Sequence, residues 1–224
     1  MKYRGVFFDF DYTLGDSTQA IVEGYQRGFS AMGRPIPTME QVRTAIGLTL
    51  LDGYRLLTGD KDPTHGQEFY HQFQLAVGEL AAKENQRLMV EGSKLLPGAE
   101  TLLVVLKELG IRTAIISTKP GTTLRKIFAF NQVDHLVDLI IGGKDVSHYK
   151  PDPEGLCVAM TQLGLAAEQV LFCGDTIIDA ETAQRAGVDF CAVLNGTTPQ
   201  EAFRDFPHAY IAQDLSDLQV WLDL

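Results

Sequence analysis

At 224 residues, with 45% hydrophobic and 9% aromatic content, the chain is long enough to bury a core and too apolar for disorder. Its formal charge of −10 argues against nucleic acid as the main partner, because a phosphate backbone needs a basic face. A small anionic ligand needs only local positive groups and stays open.

The first segment, Val6-Phe7-Phe8, is bounded by Gly5 and Asp9 and is too short for a buried helix; it predicts a buried strand. It runs into FFDFDYTLGDS, where Asp16 and Ser17 read as the cap of a first helix. From Ser17 to Gly92 only helical periodicity is found. Ile21, Tyr25, Phe29 and Met32 share one face of a helix ending at Gly33. Thr38-Met39-Glu40-Gln41 is a capping-box pattern, and Leu50–Leu57 and Phe69–Leu88 continue the helical style. The second strand is expected near Leu96-Pro97-Gly98. Beyond it, apolar runs at Thr113–Ile116, Leu139–Ile141, Val170–Cys173 and Cys191–Leu194 alternate with helical patterns at Ala99–Leu109, Thr122–Phe130, Glu154–Leu163 and Ala180–Ala186. Gly110 and Gly187 stand where C-terminal caps belong.

Strands alternating with helices predict an α/β fold with a doubly wound, Rossmann-like parallel sheet. A crossover needs only a dozen or more residues, so the long helical stretch after the first strand reads as an insert. The expected organisation is an α/β core of residues 1–16 and 93–224 with an all-helical cap of residues 17–92. Cys157, Cys173 and Cys191, with no CxxC spacing, read as reduced core residues of a cytoplasmic protein. No apolar stretch reaches the roughly 18 residues of a membrane span, and MKYRGVFFDF meets Asp9 too early for a signal peptide.

Two pairs of acids follow apolar runs: Asp9 and Asp11 after the first, Asp175 and Asp179 after VLFCG. Carboxylates at the exit of a buried strand are expensive to desolvate unless a cation or hydrogen bonds compensate them. Two such clusters at two strand ends read as one Mg²⁺ site. In an open α/β sheet, ligands bind beyond the carboxyl ends of the strands. Those ends also carry Ser117, Thr118 and Lys119, and Lys150 lies in the loop HYKPDPE. A carboxylate nucleophile, a second acid, hydroxyls and a lysine suit phosphoryl transfer, where positioning and charge neutralisation dominate. Lys119 is left open between binding an anion and decorating a helix start. The histidines, including His65, His71 and His148, show no ligand spacing and read as surface or loop residues.

The chain resembles the haloacid dehalogenase superfamily in its phosphatase branch. DFDYTL resembles the first motif, DxDGT; IISTKP the second, with Ser117 at the Ser/Thr position; KPDPE carries the third-motif lysine, Lys150; GDTIID carries the fourth-motif acids. LGDS and STKP are closest in style to phosphoglycolate-phosphatase-like proteins, and the helical insert matches the family's mobile cap.

The resemblance implies that Asp9 attacks phosphorus to form an aspartyl phosphate, and that Asp11 protonates the leaving oxygen and then deprotonates water. Asp9, the Asp11 carbonyl and Asp175 would hold Mg²⁺, while Asp179 would touch the metal, bind it through water or orient Lys150. Ser117, Thr118 and Lys150 would bind the phosphoryl group. The partner would be a small phosphorylated metabolite, the chain a monomer or weak homodimer. Tyr12 stands where the family has a hinge glycine, and would either stiffen that hinge or reach into the site. Arg43, near Gly47, would meet a substrate carboxylate or make a surface salt bridge.

The alternatives within the superfamily are a pyrophosphatase or a nucleotide or sugar-phosphate phosphatase. A phosphoglucomutase-like isomerase is disfavoured because Ile21 replaces its histidine, and a dehalogenase because Asp11 is present. A non-catalytic regulator would have no reason to keep buried, like-charged acids.

Overall fold

Strand β1 (Gly5–Phe8) is buried along its whole length, as a strand covered on both faces must be. Val6 and Phe8 point into one apolar cluster and Phe7 into a second, so the two-residue period of the strand divides the core into two layers. The computed structural model describes residues 2–78 and 80–224 of the chain. After β1 come β2 (Gly15–Asp16), α1 (Thr18–Ala31), α2 (Met39–Arg43), α3 (Leu50–Thr58), α4 (Pro63–Ala76), α5 (Lys83–Glu91) and β3 (Lys94–Leu95). Then follow α6 (Ala99–Glu108), β4 (Arg112–Ile116), α7 (Gly121–Phe130), β5 (Leu139–Ile141), α8 (Glu154–Leu163), β6 (Val170–Gly174), α9 (Ile177–Ala186), β7 (Asp189–Val193), β8 (Tyr210–Ala212) and α10 (Leu215–Trp221).

The main sheet runs β5-β4-β1-β6-β7-β8, with every pairing parallel. The chain lays down β1, β4 and β5 to one side and then returns to place β6 against the other edge of β1. The order therefore reverses at the β1–β6 step, where Phe8 is level with Cys173. That crevice is where an open α/β sheet binds ligands. Gly187, at φ 69°, closes α9 in the left-handed conformation that glycine adopts without strain.

The packing divides the chain into two compact units, Met1–Asp16 with Leu95–Leu224, and Ser17–Lys94. Within its described residues the second unit is built of α1–α5, with Lys94 the first residue of β3. Its core is an aromatic cluster of Tyr25, Phe29, Tyr54, Phe69 and Phe73, with ring centroids 4.9 Å apart for Tyr25–Phe69 and 5.3 Å for the stacked Tyr54–Phe69 pair. Helix α1 packs against α4 through Gly24 and Gly28, where a Cβ would meet the rings of Phe73 and Phe69. Asp60 ties this unit together: its Oδ2 accepts from Arg34 (2.8 Å) and Tyr54 (3.1 Å) and lies 2.8 Å from His65 Nδ1, while its Oδ1 accepts from the Asp62 amide.

Several details differ from the sequence reading. No main-sheet strand begins near Leu96-Pro97-Gly98; instead β2 and β3 form a two-residue ribbon, and Pro97 and Gly98 turn the chain into α6. The Phe69–Leu88 run is divided between α4 and α5, and it crosses Glu79, which lies outside the described residues. Ser17 is the N-cap of α1 but makes no side-chain cap bond; its hydroxyl accepts from Ser93 Oγ at 2.8 Å. Cys157 is exposed, whereas Cys173 and Cys191 are buried in register on adjacent strands. No described helix is long and apolar enough to cross a membrane.

Filling the close approach of α1 to α4 should destabilise the fold. Gly24→Val would drive two methyls into Phe73 and Val77, for an expected loss of about 1–3 kcal/mol. The better helix propensity of valine offsets only a few tenths of that. The urea unfolding midpoint measures the difference.

Candidate active site

The end of β1 delivers Asp9 and Asp11, and the end of the neighbouring β6 delivers Asp175. Both are central strands, so the carboxylates emerge from an apolar layer and are almost fully buried. Asp179 enters from the first turn of α9, where Thr176 caps the helix. Thr176 donates its amide (3.1 Å) and its hydroxyl (2.6 Å) to Asp179 Oδ2, and Thr176 Oγ1 in turn accepts the Asp179 amide, a reciprocal box. One ligand oxygen from each of Asp9, Asp175 and Asp179 lies within 4.8 Å of the others.

Lys150 answers this charge. Its Nζ donates to Asp179 Oδ1 at 2.6 Å and lies 3.0 Å from Asp9 Oδ1, with only 6% of the side chain exposed. The loop that carries it is braced by Glu154, whose two carboxylate oxygens accept the amides of Ser147 (2.9 Å) and His148 (2.8 Å). His148, Asp152 and Glu154 also cluster, but at the surface and with Glu154 already committed to that brace.

The electrostatics follow from burial. Desolvation, and after it the neighbouring Asp179 and Asp11, push the Asp9 carboxyl from 3.8 to about 6 against the opposing pull of Lys150. Burial likewise raises Asp175 well above the usual carboxylate range, with Asp179 and Asp9 adding to it. For Lys150, burial alone would lower the ammonium, but Asp179 and Asp9 outweigh it and the net shift is upward. The charge is therefore under-compensated among the described residues: four buried acids, Asp9, Asp11, Asp175 and Asp179, are paired with two lysines, Lys150 and Lys119.

That deficit fits a divalent cation. Among the described residues, none donates an aligned hydrogen bond to Asp9 Oδ1 or Asp11 Oδ1, though both are buried. Asp175 Oδ1 accepts a long bond, 3.4 Å, from Thr13 Oγ1. Hard oxygen donors with spare lone pairs suit Mg²⁺. Asp179 is different, because its Oδ1 is bonded to Lys150 and its Oδ2 to Thr176.

Ser117 directly follows β4 and is buried; its Oγ accepts the Lys119 amide at 3.4 Å, and it lines one small cavity with Thr118 and Lys150. Lys119, which the sequence left open, is buried rather than displayed: its Nζ lies 3.2 Å from Asp11 Oδ2. Two glycines that contribute gave no sequence signal of their contacts. Gly196 sits so close to Asp175 Oδ2, and Gly174 to the Asp179 side chain, that a Cβ at either would collide. Tyr12, directly after Asp11, is buried at φ 57°, a left-handed conformation that glycine adopts more cheaply. A separate cavity of about 640 Å³ opens at the other end of the sheet, between Tyr3, Asp189 and Trp221, and shares none of these residues.

Residues 6–193 match the haloacid dehalogenase-like hydrolase family. The chain belongs to that family. It is 30% identical over 199 residues to the phosphoglycolate phosphatase of Yersinia pestis, covering 89% of this chain and 84% of that protein. The phosphoglycolate phosphatase of Pseudomonas putida is also 30% identical, over 86% of this chain and 70% of its own length. A haloacid dehalogenase-like hydrolase from Bacteroides fragilis superposes with a TM-score of 0.89 at 36% identity, covering 97% of this chain and 100% of its own. Within the haloacid dehalogenase-like hydrolases the chain is thus phosphoglycolate-phosphatase-like, a hydrolase of the phosphoric monoester class.

The raised Asp9 carboxyl makes a prediction for the metal-free enzyme. An acid whose folded pKa lies above its unfolded one destabilises the fold when ionised. The penalty is absent below about 3.8 and complete above about 6. Asp9→Asn should therefore gain stability over the parent chain at pH 7–8 by on the order of 2–3 kcal/mol relative to the difference at pH 4. Urea unfolding of both proteins in chelator across that range measures it.

Proposed function

We propose that the protein is a Mg²⁺-dependent phosphatase that cleaves a small phosphate monoester, of the phosphoglycolate kind, through an aspartyl phosphate on Asp9. The observation that carries this reading is the pairing at the end of β1. Asp9 faces Lys150 and Asp11, two residues on, faces a different lysine, Lys119; each keeps a buried Oδ1 with no aligned hydrogen bond among the described residues. Two adjacent carboxylates in different environments are what a nucleophile and an acid/base require.

Asp9, the Asp11 carbonyl and Asp175 would hold the cation, whose charge offsets repulsion between an anionic phosphate and these acids. Lys150 keeps Asp9 oriented and offsets charge on the phosphoryl oxygens. Asp179 acts through Lys150, fixing its ammonium from the far side. Ser117 and Thr118 supply hydroxyl and amide groups to the phosphoryl group. Asp11 delivers a proton to the departing oxygen and afterwards takes one from the water that frees Asp9. The phosphoglycolate phosphatases among the relatives support the substrate class.

Asp9→Asn should abolish turnover of phosphoglycolate and other small monoesters with the fold retained by circular dichroism; more than a few per cent of residual activity would end the covalent mechanism. Exhaustive chelation should silence the enzyme and Mg²⁺ restore it, whereas full activity in chelator would exclude the metal.

Asp11→Asn should lose about 10²–10⁴-fold on an alkyl phosphate, whose leaving group needs a proton. With p-nitrophenyl phosphate it should still give a burst of nitrophenol, followed by slow turnover. Rapid-mix kinetics on both substrates decides this, and equal burst-phase loss would remove the acid/base role. A screen of phosphorylated metabolites then separates phosphoglycolate from nucleotide, sugar-phosphate and pyrophosphate substrates.

A further inference from the structure

Lys119 reads in the sequence as a lysine at a helix start, and such residues are ordinarily solvated. Here only 8% of its side chain is exposed, and its ammonium lies 3.2 Å from Asp11 Oδ2 and 5.8 Å from the centroid of the Phe10 ring. The backbone beneath it is pinned. Gly143 donates its amide to the Lys119 carbonyl at 3.1 Å, and a Cβ on Gly142 or Gly143 would strike the carbonyls of Lys119 and Thr118. Lys119 is thus delivered from the end of β4 to the end of β1 by a close-packed glycine pair.

The consequence falls on Asp11. One of its oxygens faces Lys119, while the other is buried and receives no aligned hydrogen bond among the described residues. A carboxylate free to rotate about its last bond would present either oxygen; one held at Oδ2 presents Oδ1.

We propose that Lys119 is the positioning residue for Asp11. It fixes Oδ2 so that Oδ1 is the atom through which protons pass to and from the reacting oxygens. This rests on the acid/base reading of Asp11 given above. It gives Lys119 a task separate from that of Lys150, which faces Asp9 and Asp179. No bond to Lys119 is made or broken; its effect is geometric.

The test uses Lys119→Met, which keeps the stem and removes the charge, with Lys119→Arg and Asp11→Asn measured alongside. Lys119→Met should lower kcat on an alkyl phosphate by about 10–100-fold with KM little changed. The nitrophenol burst from p-nitrophenyl phosphate should lose at least about tenfold less, because that leaving group departs without a proton. Lys119→Arg should recover part of the alkyl-phosphate rate. In the Asp11→Asn background, Lys119→Met should cost nothing further, since residues acting through one another are not additive.

A raised KM with unchanged kcat would make Lys119 a direct substrate anchor and overturn the proposal. So would equal loss on both substrates, or a full additional loss in the double variant. If Asp11→Asn discriminates between the leaving groups and Lys119→Met does not, Lys119's role alone falls. If Asp11→Asn does not discriminate, the acid/base reading itself falls. Failure of Lys119→Met to fold leaves Lys119→Arg to decide: a partial loss of rate on the alkyl phosphate with the nitrophenol burst retained supports positioning, and an equal loss on both substrates, or no loss on either, refutes it.

Discussion

The buried ammonium of Lys150 is the contact on which the arrangement depends. Three carboxylates, from β1, from the end of β6 and from α9, enter a space closed to solvent, and each ion pays several kcal/mol to leave water unless it is answered. Lys150 touches two of them, and these outweigh the burial that would otherwise disfavour its charge. Burial disfavours the charged form of both Asp9 and Lys150, and each opposes that effect in the other. The surrounding loops make sense as supports for that exchange: Glu154 braces the segment carrying the lysine, and Thr176 fixes the far carboxylate.

The remaining charge imbalance explains why the site is suited to chemistry rather than to stability. A pair with balanced charges would be inert. Among the described residues the acids outnumber the lysines paired with them and Asp9 Oδ1 and Asp11 Oδ1 lack an aligned hydrogen bond, a cost offset by the apolar clusters on the two faces of the sheet. The reversal of strand order between β1 and β6 makes the excess possible. It places the ends of two strands side by side with no covering strand connection between them, and glycines at 174 and 196 let the backbone close around the carboxylates.

The alternation of short apolar runs with helical periodicity made the parallel α/β sheet legible, because each central strand is buried on both faces and so carries an unbroken apolar signature. Strand β8 and helix α10 escaped that reading. Tyr210-Ile211-Ala212 is three residues long, and α10 is announced only by Asp214, which accepts the amides of Ser216 and Asp217. The acids stood out because each pair follows an apolar run. What could not be read is how they are partnered. The box between Thr176 and Asp179 is local and leaves a pattern in the sequence; the ion pair of Lys119 with Asp11 joins two distant strand ends and leaves none. Glycines that matter through what nearly touches them, such as Gly196 against Asp175, look like ordinary loop residues until the opposing side chain is placed.

The chain leaves the sheet unit after Asp16 and resumes it at Leu95, and just inside these limits the Leu96 amide donates to the Leu14 carbonyl at 2.9 Å. A long excursion that begins and ends at one hydrogen bond is, for the sheet, equivalent to a tight turn. Loop-closure entropy grows only with the logarithm of length. The helical segment could therefore lengthen, shorten or be exchanged over generations at little expense to the strands that hold the acids. Variation in the length of one unit is then insulated from the strand pairing of the other.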